Sequence, residues 1–209
     1  MTMNYERLKT AETVFLDRYP GGFGHEDLVA VGKKHRIDRM TEQTRTLLAR
    51  ERFRQQGAVL DDIVKLVTRS SMVSLFEKPK FRDFVNGLNR DDREYLADGF
   101  RILLHNKKQE PGFNKILDVL REGKLAKWSL ITILPLYMRP EEEVFVKPTT
   151  TKRIIAYLEL EDLVYKPQPS WAFYAAYRDA INHIKTLVDP SITTNNAAFT
   201  GFLMVTLES

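Results

Sequence analysis

The sequence predicts a mainly α-helical protein forming one domain over residues 1–209. Apolar residues recur at helical spacing almost throughout, and no stretch shows sustained period-two alternation between hairpin turns. Residues that cap or stop helices stand at the ends of the apolar stripes. With 209 residues, 43% of them hydrophobic and 29% charged, the chain can build a core that needs no disulfide or metal staple.

A first helix from Asn4 to Arg18 buries Leu8, Ala11, Phe15 and Leu16, and YPGGF (19–23) stops it with turn chemistry. A long helical region follows from Glu26 to Gln56 and closes at Gly57. The next helix, Leu60 to Phe76, places Leu60, Ile63, Val64 and Val67 on one stripe, with Asp61 and Asp62 in its first turn. In NRDDREYLADGFRILLH (89–105), Asn89 is the N-cap and two aspartates suit the positive end of the helix dipole. Phe113 to Glu122 ends at Gly123. WSLITILPLYM (128–138) reads as a buried helix, with Trp128 and Leu134 inaccessible, that is kinked or ended at Pro135. Pro148 holds Lys147 out of helical geometry, so a helix starts there with Thr149 or Thr150 as its cap. KPQPS (166–170) is extended. Ser170 then caps Trp171 to Val188, whose stripe is Phe173, Tyr177, Ile181, Ile184 and Val188. The tail NNAAFTGFLMVTL (195–207) is apolar enough to dock, as helix or strand.

Several chemistries are excluded by composition and spacing. The chain has no cysteine, which removes disulfides, thiolate metal sites and cysteine nucleophiles and fits a reducing cytoplasm. Its four histidines form no H-x-x-x-H pair, Gly21 and Gly22 open no phosphate-binding loop, and no G-x-S-x-G elbow occurs. No metal and no cofactor is expected. The N-terminal residues mix charged and apolar side chains without a long apolar run, so neither a signal peptide nor a membrane partner is expected.

The net charge of +4 is uneven. Residues 33–54 hold eight basic and three acidic residues, a surplus larger than that of the whole chain. On one continuous helix, Arg36, Arg39, Gln43, Arg50 and Arg54 would share a wedge about 60° wide and about 27 Å long, a track for nucleic-acid phosphates. A second candidate is the helix start at Pro148. Its free amides and the side chains of Lys147, Thr149, Thr150, Lys152 and Arg153 form an anion site, unless Glu141, Glu142 and Glu143 neutralise the cations. A third is YKPQPSWAFYAAYR (165–178), where Trp171 and Tyr174 lie off the core stripe and either cover an edge of the domain or offer stacking surfaces.

Two resemblances accompany these readings. TTTKRIIAYLELEDLVYKP (149–167) resembles the second helix and following strand of winged-helix DNA-binding domains. It departs from them in having Glu161 and Asp162 where they have a turn glycine, and Pro167, Pro169 and a helix where they have a hairpin. The arrangement of YPGGF, AKWSLIT and FVKPTT is similar to a group of bacterial cytosolic proteins without a known activity, which implies a bacterial, cytoplasmic setting. The functional expectation is a binding protein for an anionic partner, foremost nucleic acid or else a phosphorylated ligand. The alternatives are an enzyme acting on such a substrate, with no catalytic residue assigned, and a helical protein-interaction module.

Overall fold

The computed structural model describes residues 2–206 and contains eleven α-helices and no strand among them, a mainly α-helical fold. Helix α1 (Tyr5–Arg18) starts where the Asn4 side chain accepts the Arg7 amide at 3.1 Å. YPGGF then turns through Gly21 and Gly22 at φ of 82° and 60°. Gly22 also touches the short 3-10 turn Pro190–Ile192: a Cβ there would lie 2.6 Å from the Ser191 carbonyl oxygen, so only glycine fits.

The long helical region expected from Glu26 to Gln56 is three pieces. They are α2 (Glu26–His35), α3 (Ile37–Leu47) and a 3-10 segment (Arg50–Arg54), with Arg36 in left-handed geometry at φ 49° between the first two. Helical phase supplies the reason. At about 100° per residue, a continuous helix burying Met40, Thr44 and Leu48 would send Leu28 and Phe53 to its opposite face. Breaking the helix on both sides of α3 lets all five be buried.

Helix α4 (Gln56–Arg69) buries Val59, Leu60, Ile63, Val64, Leu66 and Val67. It starts earlier than expected, so Asp61 and Asp62 lie in its second turn and pair with Arg93 and Arg52. Helix α5 (Glu77–Gly87) has no counterpart in the sequence reading. Helix α6 (Arg90–His105) is capped by Asn89, which accepts the Asp92 amide at 2.9 Å, and α7 (Glu110–Glu122) stops at Gly123. These two helices make the most extensive contact between elements in the fold.

Helix α8 (Trp128–Met138) is central and touches α3, α4, α6 and α7. All its residues except Ser129 are buried, Trp128 and Leu134 included. Pro135 sits inside it, and the helix ends one turn later. Helices α9 (Pro148–Tyr157), α10 (Trp171–Lys185) and α11 (Asn196–Thr206) complete the chain. Ser170 caps α10 by accepting the Phe173 amide, and the apolar tail is helical through Thr206; Leu207, its last residue, lies outside the described residues. The buried side chains form one contiguous cluster to which α1, α4, α6, α7, α8, α10 and α11 all contribute. No helix among the described residues is long and apolar enough to cross a membrane.

Candidate functional site

A groove of about 840 Å³ has walls from α2, the start of α3, the segment at Ser71–Met72, the start of α9 and one face of α11. The left-handed turn at Arg36 places Arg36 and Arg39 on its rim, and the extended backbone of Lys147 before Pro148 brings Lys147 and Thr150 to the same space. Two segments more than a hundred residues apart thus meet around one cavity. Lys33 joins them, against one carboxylate, Asp38. Among the described residues, Arg36, Arg39 and Lys147 form no ion pair. No side chain caps α9, so the amides of Thr149 and Thr150 have no helical acceptor.

The other sequence-nominated residues lie elsewhere. Gln43 lies on α3 one turn beyond Arg39 and does not line the groove, and Arg50 and Arg54 do not continue the rim because the helix that would have aligned them ends at Leu47. Arg50 and Arg54 line a separate concavity of about 380 Å³ beside Glu51, Phe53 and Arg101. The single phosphate track on one continuous helix is therefore corrected: its arginines line two different concavities. At α9, the N-cap is Lys147 rather than Thr149 or Thr150, and neither threonine hydroxyl caps the helix. Thr149, Lys152 and Arg153 do not line the groove; Lys152 is exposed, and Arg153 is engaged by an intramolecular partner. The five-residue anion site reduces to Lys147 and Thr150.

Tyr174 is also corrected. It is fully buried, stacks on Phe113 with ring centroids 5.6 Å apart and donates its hydroxyl to Glu143 at 2.7 Å. Trp171 is half-buried, packs edge-on against Phe113 and lies under the Arg178 guanidinium, 5.5 Å from the ring centroid. Tyr174 thus offers no free stacking face, and Arg178 occupies one face of Trp171.

The glutamates turn away from Lys152 and Arg153. Glu141 pairs with Arg45 at 3.7 Å and Glu142 with Arg139 at 3.4 Å. Glu143, only 2% exposed, is the hub of a polar cluster that sequence reasoning missed. Its Oε1 accepts from Gln109 at 2.7 Å and Arg139 at 2.6 Å, and its Oε2 from Tyr174 at 2.7 Å and Arg178 at 3.3 Å. Burial alone would push its carboxyl up, but Arg139, Tyr174, Arg178 and Gln109 together hold it below the usual carboxylate range. With four donors on two oxygens, the carboxylate is saturated and joins α7, α10 and the segment after α8. A polar concavity of about 490 Å³ lies beside it, lined also by His105, Asn106 and Lys107. The His105 ring meets the Leu48 carbonyl oxygen at 2.8 Å, and burial, opposed by that bond and assisted by Arg50 and Arg139, lowers its pKa.

Among the described residues, no group of three or more metal-ligating side chains is gathered. No protein-family model, curated protein or solved structure matches this chain.

Proposed function

We propose that the protein binds an anionic ligand, phosphorylated or carboxylated, in the groove between α2–α3 and α9–α11. The observation that carries this reading is the convergence of Arg36, Arg39 and Lys147, without carboxylate partners, on one cavity of about 840 Å³. Three like charges around one concavity repel each other, and an anion converts that repulsion into attraction. The free amides at the start of α9 add donors aimed along the helix axis. A cavity of this size suits a small molecule, for which sites span about 300–1,000 Å³. Nucleic acid, the partner favoured by charge surplus alone, has less support, because the nominated arginines line two different concavities and Tyr174 is buried against Phe113.

The test is thermal unfolding at low salt with inorganic phosphate, a nucleoside triphosphate, a single-stranded oligonucleotide, dodecanoate and dodecyl phosphate. At least one anion should raise the melting temperature, with a gain of about 2.7 kcal/mol at a hundredfold excess over Kd. Arg36→Ala with Arg39→Ala, or Lys147→Ala, should remove most of that gain. No stabilisation by any anion, or a gain indifferent to these substitutions, would overturn the proposal.

A further inference from the structure

We infer that the ligand of this groove is amphiphilic, an anionic head on a single acyl or alkyl chain; the inference rests on the anion-binding reading above and names its ligand class. Helix α11 is the first reason. Phe199, Phe202 and Leu203 of this helix point into the core, as expected of a docked amphipathic element. Its other face is mostly apolar too: Ala197, Ala198, Gly201 and Met204 follow helical spacing and line the groove, beside Thr200, whose hydroxyl donates to the Asn196 carbonyl oxygen. A helix apolar on two opposite faces is ordinarily enclosed, yet this second face meets a cavity.

Facing it across the groove are further apolar side chains, Leu28, Val29, Ile37 and Met72. Val29 is 43% exposed, so part of this wall stands open to solvent. Space is kept on both walls by missing side chains. A Cβ at Gly32 or at Gly201 would meet nothing within 4 Å, and both residues line the groove. Apolar walls call for an apolar body, and the unpaired Arg36, Arg39 and Lys147 on the rim call for an acid at its end. The two requirements together describe a fatty acid or an alkyl phosphate, which share an anionic head and a flexible chain. A polynucleotide satisfies only the second. An apolar protein segment satisfies only the first.

Titration calorimetry with four kinds of probe separates these cases. Dodecanoate and dodecyl phosphate, below their micellar concentrations, carry head and chain; acetate and inorganic phosphate carry the head alone; dodecyl maltoside carries the chain alone; an oligonucleotide carries many heads. At least one of the two amphiphilic anions should bind at least tenfold more tightly than any other probe, and which of them binds better identifies the head as carboxylate or phosphate. In that series each added CH₂ should strengthen binding about threefold to fourfold until the groove is full. Gly201→Leu fills the open space with a better helix former, so it should fold and weaken the amphiphile at least tenfold. Gly32→Leu does the same from the opposite wall should the first variant fail to fold. Equal binding of phosphate and dodecyl phosphate, equal binding of the maltoside, tighter binding of the oligonucleotide, or an unchanged affinity in a folded Gly201→Leu would each overturn the inference. Binding of head-only anions that still depends on Arg36, Arg39 and Lys147 would leave the anion-binding reading standing without it. Absence of binding by every probe would remove both.

Discussion

Glu143 is a buried carboxylate held by four donors, and such a group is tolerable only while its partners hold. Replacing it removes a charge that two partly buried guanidinium groups share, with side-chain exposures of 27% and 19%. Leaving such partners uncompensated costs about 3–5 kcal/mol when a buried pair is broken, and the partial exposure of the arginines puts this case near about 3 kcal/mol. Glu143→Gln should therefore lower the melting temperature by about 6–12 °C for a protein of this length, measured by calorimetry. A variant as stable as the parent would mean that water solvates Arg139 and Arg178 as well as the carboxylate does. In the sequence, Glu143 is one of three adjacent glutamates. Only its place directly before the apolar Val144–Val146 run sets it apart, and residue type alone does not separate a buried acid from its solvated neighbours.

Among the elements, α6 and α7 owe their close approach to Gly99 and Gly112. A Cβ on Gly112 would stand 2.5 Å from the Gly99 carbonyl oxygen, and backbone cannot swing aside as a side chain can. In an open helical position Gly→Ala gains about 0.5–1 kcal/mol. Here the sign reverses: Gly112→Ala should cost about 1–3 kcal/mol through forced backbone shifts. Gly201→Ala, whose Cβ meets nothing within 4 Å, should stabilise the protein and serves as the paired control in urea denaturation. Equal effects of the two substitutions would show that α6 and α7 separate without penalty. The break between α2 and α3 belongs to this scale as well. Its signal was present in the sequence as a phase conflict, since Leu28 and Phe53 lie out of register with Met40, Thr44 and Leu48. Charge spacing drew the long helix through that conflict, and the demand to bury apolar side chains decided against it.

For the whole molecule, acid should act in two stages of one sign. His105 has a folded pKa below its ordinary value, so the unfolded chain takes up a proton first and stability falls as pH drops below about 6.5. Glu143 and Asp98 are also held low: burial pushes both carboxyls up, but Arg139, Tyr174, Arg178 and Gln109 together on the one and Lys115 with Arg101 on the other outweigh it. Their contribution is present above the ordinary carboxylate range and is lost as pH falls through about 4.5 toward their folded values. Urea midpoints between pH 8 and about pH 2.5 should show a plateau, a first decline and a steeper second one, and His105→Gln should remove the first. A first decline that persists in that variant would assign it to another group. At this scale the division between sequence and fold is clear. The sequence by itself determined the helical class, the caps at Asn89 and Ser170, the stop at Gly123 and the burial of α8, because each depends on near neighbours or on the phase of one apolar stripe. Only the tertiary structure decided that Arg36 and Arg39 meet Lys147, that Arg50 and Arg54 do not, and that Glu143 lies under two arginines. Those encounters join residues far apart in the chain, and helix packing rather than local propensity chooses them.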